Sequence, residues 1–221
     1  GKDSGTLRFQ YQDASGLTAQ KAFYFQPDGR AFVVNVEAAV EVSGAAKPVT
    51  LHWGPAIGLF DPAVTQTTPP RVVQFHNGSV ARITASSFQP PAASRFEGAL
   101  RFAGVEDHYF VTAAVPGDMP VRVDYVPVFV PVPGATAGET HPLVAFSISP
   151  KTEGSPSRTV TIPFFMGPKD FDRLKEVDKE FVRAIDFGMF AWLVVPLLRA
   201  LKWLNTYIHN FGWSIIALTV L

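Results

Sequence analysis

The chain has 221 residues, 19 Lys and Arg against 19 Asp and Glu, a hydrophobic fraction of 47% and no cysteine. Zero net charge argues against a nucleic-acid binder, which shows a basic patch. The apolar fraction excludes wholesale disorder, and the missing thiols exclude a disulfide framework and thiolate metal sites.

The chain opens Gly-Lys-Asp-Ser-Gly without an initiator Met or a signal peptide. Thr6 to Gln12 alternates, with Leu7, Phe9 and Tyr11 on one face and Arg8 and Gln10 on the other. Gln20 to Gln26 is a second strand, and Pro27-Asp28-Gly29 is a turn with a mechanism: proline presets φ and glycine accepts positive φ. Phe32 to Val42 alternates over a long run, so the pair around that turn reads as a hairpin. Val49 to Trp53 is a further strand, and Gly54 to Pro70 a long loop rich in Gly, Pro and Thr.

Val72 to Phe75 and Val80 to Ala85 flank Asn77-Gly78, the strongest short hairpin signal. Ser86 to Ser94 is a linker. Phe96, Leu100 and Phe102 open one strand, and His108 to Val115 forms the next. Val121 to Val130, Leu143 to Ser149 and Arg158 to Phe165 complete the set, with a connection over Pro131 to Pro142. Many short strands between turn signals, with no helical period before Gly167, predict an antiparallel β-sandwich.

Pro168 to Ile185 is the first predicted helix. Phe171, Leu174, Val177, Phe181, Val182 and Ile185 share a face on which Asp178 intrudes, as expected of a helix laid on a sheet. Gly188 is the expected hinge after it. A second helix is predicted to start at Pro196, a favoured first helical position, and to run to Asn210. Arg199, Lys202, Asn205, Thr206 and His209 share one arc. Leu197, Ala200, Leu201, Trp203, Leu204, Tyr207 and Ile208 fill the other, with Leu198 the misfit. A wide aromatic face opposite Arg and Lys is the composition of a helix lying in a bilayer interface. From Gly212 the chain continues without a charge to Leu221. That run is shorter than the roughly 20 residues a span needs. It reads as the start of a truncated transmembrane helix, and both chain ends lead us to expect an internal fragment. In water this tail is expected to expose enough apolar surface to drive self-association.

Few residues suggest chemistry. His52, His76, His108, His141 and His209 show no i, i+4 metal pair. Glu106-Asp107-His108 is the richest acid/base cluster, and a turn opening a strand accounts for it better. No nucleophile elbow or phosphate loop is present. No catalytic, cofactor-binding or metal residue is assigned, and the chain is not read as an enzyme.

The tail resembles the YidC family of bacterial inner-membrane protein insertases. The resemblance rests on Gly167-Pro168-Lys169-Asp170, Asp186-Phe187-Gly188-Met189-Phe190, Pro196-Leu197-Leu198, Leu201-Lys202-Trp203-Leu204 and Asn210-Phe211-Gly212-Trp213-Ser214-Ile215-Ile216. Asp107-His108-Tyr109-Phe110 and Lys21-Ala22-Phe23-Tyr24-Phe25 extend it loosely into the strands. It implies a twisted, mutarotase-like β-supersandwich in the periplasm over residues 1–166, with N-terminal strands missing. After it would come a linking helix over 167–186, an interfacial helix over 187–210 and the start of a transmembrane helix over 211–221.

The implied membrane-interface residues are Phe190, Trp192, Leu193, Leu197, Leu201, Trp203, Leu204 and Tyr207, with Arg199 and Lys202 toward headgroups. The implied partners are the lipid bilayer, nascent membrane proteins and subunits of the Sec translocon. The implied location is the bacterial inner membrane, with this segment mostly periplasmic. The alternative from the fold alone is a secreted carbohydrate-binding or carbohydrate-processing sandwich, which predicts an acidic, aromatic-lined groove.

Overall fold

A computed structural model describes residues 5–25, 32–55, 70–88, 94–131, 140–151, 158–188 and 191–220. The chain divides into two compact units, Gly1–Ala184 and Ile185–Leu221. The predicted Pro27-Asp28-Gly29 turn lies outside the described residues, as do most of the loops foreseen at 54–70 and 131–142.

The first unit is an antiparallel β-sandwich. Its strands are β1 (Gly5–Gln12), β2 (Leu17–Phe25), β3 (Val33–Val42), β4 (Ala45–Ala46), β5 (Leu51–Trp53), β6 (Arg71–His76) and β7 (Ser79–Thr84), followed by β8 (Ser94–Ala99), β9 (Phe102–Glu106), β10 (Phe110–Ala114), β11 (Pro120–Pro131), β12 (Thr140–Pro150) and β13 (Val160–Pro168). Among the described residues, nine strands form a large sheet in the order β1-β2-β3-β13-β10-β9-β6-β7, with β4 beside β3. The small sheet runs β5-β12-β11-β8. Val34, Val36, Val72, Val105, Ile162 and Phe164 from the large sheet meet Leu51, Val121, Val123, Tyr125, Val144, Phe146 and Ile148 from the small one in a single core.

The hairpin expected at Asn77-Gly78 forms. Both residues have positive φ, 50° and 79°, as a two-residue turn between twisted strands demands, and β6 pairs with β7 from Arg71↔Thr84 to His76↔Ser79. β2 and β3 pair as predicted, Phe25 opposite Val34. β1 forms as predicted; it is exposed along its whole length and stands at the end of the described sheet. One strand reading needs correction. The stretch through Phe96, Leu100 and Phe102 is two strands rather than one. β8 lies in the small sheet and β9 in the large, and the chain crosses between them at Leu100-Arg101. Gly98, with φ 137°, lies just before the crossing.

Every residue of β9 is buried. The small sheet covers one face. The segment after β13 covers the other: α1 (Phe171–Val177) and a 3-10 turn at Phe181–Ala184 place Leu174, Phe181 and Ala184 at 0% exposure. The Phe181 ring lies 4.9 Å from Phe102 and 5.3 Å from Phe165. Of the apolar stripe predicted for this segment, Leu174 and Phe181 are buried, while Phe171, Val177 and Val182 are half-buried.

The predicted continuous helix over 168–185 does not form. Pro168 still belongs to β13, opposite Phe110. Asp170 caps α1, its Oδ1 accepting from Asp172 N and Arg173 N at 3.0 Å each. The helix then stops at Asp178, the residue that broke the apolar stripe. Asp178 is extended, its carboxylate takes a hydrogen bond from Arg101, and its Oδ1 accepts from Glu180 N at 2.7 Å. A side chain that bonds nearby backbone and a half-buried cation competes with the next helical turn.

On the small sheet, opposite charges face each other across strands: Arg122↔Glu97 and Asp124↔Arg95. The Lys151 hydrogen bond (3.2 Å), the largest single cause, and Arg122 (2.8 Å) hold Glu97 below its ordinary pKa of 4.5. A depressed folded pKa means stability that is complete above about pH 4.5 and is lost as pH falls through the lowered native value. Glu97→Gln is therefore expected to narrow the difference in urea midpoint between pH 7 and pH 3. An unchanged difference would show that the trio adds nothing in solution.

Candidate membrane-docking segment

The second unit begins with a turn. Asp186 Oδ1 accepts from Gly188 N at 3.1 Å. Gly188 has φ 63°, and no atom lies within 4 Å of where a Cβ would stand. The conformation, not crowding, requires glycine here. Phe190 lies outside the described residues.

α2 runs Ala191–Ile208. The predicted start at Pro196 is five residues late: Pro196 sits inside the helix. Its ring removes the hydrogen bond that the Trp192 carbonyl would accept, and Trp192 to Val195 are helical all the same. Trp192 (73% exposed), Leu193, Leu197, Trp203 (60%) and Tyr207 (69%) stand out on one side. The Trp203 and Tyr207 rings meet edge to face at 5.1 Å. Leu201 and Leu204, also assigned to this face, are half-buried. Arg199 is exposed and Lys202 half-buried. Leu198, the misfit of the apolar pattern, is half-buried as well.

His209, with φ 55°, ends α2. Asn210 then caps α3 (Phe211–Val220), its Oδ1 accepting from Gly212 N at 2.9 Å and Trp213 N at 3.3 Å. The buried Ser214 hydroxyl donates to the Asn210 carbonyl at 2.8 Å. Phe211, Trp213, Ile215 and Ile216 are each at least half exposed. Among the described residues no helix is long and apolar enough to cross a membrane.

The residues once considered for acid/base chemistry are absorbed by structure. Asp107 Oδ1 accepts from Tyr109 N at 2.8 Å and Phe110 N at 2.6 Å, which caps the β9–β10 turn. His108 packs edge to face on Tyr109 at 4.3 Å. Glu106 points away from the inter-sheet core, toward the face covered by α1 and the 3-10 turn; at 0% side-chain exposure it meets three cations: Arg71 Nε at 2.6 Å, Arg82 Nε at 3.1 Å and Lys169 Nζ at 2.9 Å. Lys169 also donates to the Asp107 carbonyl at 2.6 Å. The sequence signal for this knot was one acid ending an otherwise apolar strand.

A cleft of about 730 Å³ opens between β1–β3 and β5, lined by Phe9, Tyr11, Phe23, Lys21, His52 and Trp53 among others. It is aromatic, and among the described residues that line it none is a carboxylate.

Residues 1–200 match the sequence profile of the YidC periplasmic domain. The chain is 36% identical over 134 residues to the membrane protein insertase YidC of Anaeromyxobacter sp. (strain K), covering 59% of this chain and 22% of that protein. It is 27% identical to the protein of that name from Geobacter metallireducens, covering 100% of this chain and 40% of the relative. For the Thioalkalivibrio sulfidiphilus relative the figures are 28% identity over 151 residues, 67% of this chain and 26% of the relative. The chain thus spans less than half the length of these relatives. An antiparallel sandwich, a two-helix unit with exposed aromatics and a profile match over most of its length place the chain in the YidC periplasmic-domain family.

Proposed function

We propose that the chain is the periplasmic and membrane-docking part of a membrane protein insertase at the bacterial inner membrane. α2 lies in the bilayer interface. Trp192, Leu193, Leu197, Leu201, Trp203, Leu204 and Tyr207 enter the acyl boundary, and Arg199 and Lys202 reach the headgroups. Gly188 is the hinge that lets the helix find the plane of the membrane. α3 is the beginning of a span. The partners are lipid, nascent membrane proteins and subunits of the Sec translocon, the last through the sandwich. The chemistry of the whole protein is physical: sheltering polar segments that hydrocarbon penalises. No covalent catalysis is assigned.

The observation that carries the reading is the side of α2 that leaves two tryptophans and a tyrosine exposed. Water penalises that surface, and an interface accepts both the rings and their polar edges. The test is co-sedimentation with phospholipid vesicles of the full chain beside a version ending at Ile185. Burying several such side chains at roughly 1.5–3 kcal/mol each predicts a partition loss of at least about a hundredfold for the shorter version. Equal sedimentation of the two would overturn the proposal.

A further inference from the structure

We propose that Arg82, aimed by Glu106, is a clamp that sets where the rigid sandwich ends along the chain. Arg82 projects from β7, the last strand of the large sheet. Its Nε lies 3.1 Å from Glu106 Oε1, and its Nη2 donates to the carbonyls of Arg183 at 2.9 Å and Ala184 at 3.0 Å. A planar guanidinium can face a carboxylate with one edge and two carbonyls with another. Those carbonyls close the 3-10 turn, where a helical segment lacks internal donors.

Other contacts hold the same turn. Phe181 and Ala184 are fully buried. The Arg183 guanidinium lies 5.5 Å from the Phe75 ring centroid and pairs with Glu180 at 2.6 Å. All of this stops together. Ala184 is the last buried residue before the Asp186–Gly188 turn, and the boundary between the two compact units falls between Ala184 and Ile185. Glu106 is therefore a positioning residue for Arg82, and Arg82 fixes the point from which the following chain can reorient. The clamp lies wholly within the sandwich and does not depend on the membrane reading.

Hydrogen exchange on the full chain tests this. The amides of Phe181 and Arg183 donate to the Asp178 and Glu180 carbonyls at 3.1 and 3.0 Å, so their protection reports on the turn. Arg82→Lys keeps a charge near Glu106 and loses the fork. It is expected to speed exchange at Phe181 and Arg183 about tenfold or more, with amides of β9, β10 and β13 within about twofold of the parent. Glu106→Gln should loosen the same turn, and the double variant should exchange there no faster than the faster single one. If Glu106→Gln does not fold, Arg82→Lys decides alone. Unchanged exchange at Phe181 and Arg183 in Arg82→Lys, or equal acceleration throughout the sheet, would overturn the clamp.

Discussion

Glu106→Ala is expected to destabilise the sandwich by about 3–5 kcal/mol, the range for removing one partner of a buried charge cluster. The lone carboxylate sits at 0% exposure among Arg71, Arg82 and Lys169, whose side chains are 22%, 20% and 9% exposed. Without it three cations face one another, and Lys169 has little route to water. The loss would be a large part of a typical domain stability of 5–15 kcal/mol. The knot also joins β6, β7, β9 and the residue after β13, so the damage should be global. Urea unfolding followed by the β-sheet circular dichroism signal reports it. Arg71→Met should cost much less, because Glu106 keeps two cations. A Glu106→Ala variant within about 1 kcal/mol of the parent would show that the cluster merely tolerates burial.

Gly104→Ala is expected to cost about 2–3 kcal/mol by overpacking. Gly104 lies in β9 opposite Ala113. An added methyl would run into the Thr112 carbonyl and the Ala113 backbone, and neither can swing aside as a side-chain tip can. β9 is buried on both faces, so the strand has nowhere to shift. Gly5→Ala is the control: the nearest atoms to its added carbon, on Phe25, are 3.8 Å away, and its cost should stay within about 0.5 kcal/mol. Denaturant midpoints of the two variants compare them directly. Equal effects would mean that β9 adjusts more freely than its packing indicates.

The two units obey opposite rules for apolar residues. In the sandwich, Phe102, Phe165 and Phe181 bury one another completely. In the second unit, Trp192, Trp203, Phe211 and Trp213 each remain more than half exposed. Stable monomers rarely show water such a run of aromatic surface. The proposed bilayer contact gives that surface a partner without any further protein.

Periodicity and turn chemistry by themselves determined the strand-rich class, most strand positions and the hairpin at Asn77-Gly78. These features are local: alternation follows from the pleat, and a two-residue hairpin needs the positive φ that Asn and Gly accept. The resemblance in the tail motifs pointed to the family, which the profile match establishes. The aromatic arc of α2 was legible too, since helical spacing alone places its residues.

Tertiary structure decided the rest. Nothing in Phe96 to Phe102 shows that the chain changes sheets there, because Phe96, Leu100 and Phe102 are apolar whichever sheet receives them. The alternation of β1 gave no sign that it stands at the end of the described sheet. Asp178 looked like a blemish on a helix until Arg101, far away in sequence, supplied its partner and ended the helix. Pro196 reads locally as a helix start, and apolar residues before it carried the helix past that signal. Glu106 looked like part of a turn. Only the assembly of β6, β7 and β9 with Lys169 brings three cations to it, since charges distant along the chain meet only when the fold places them together.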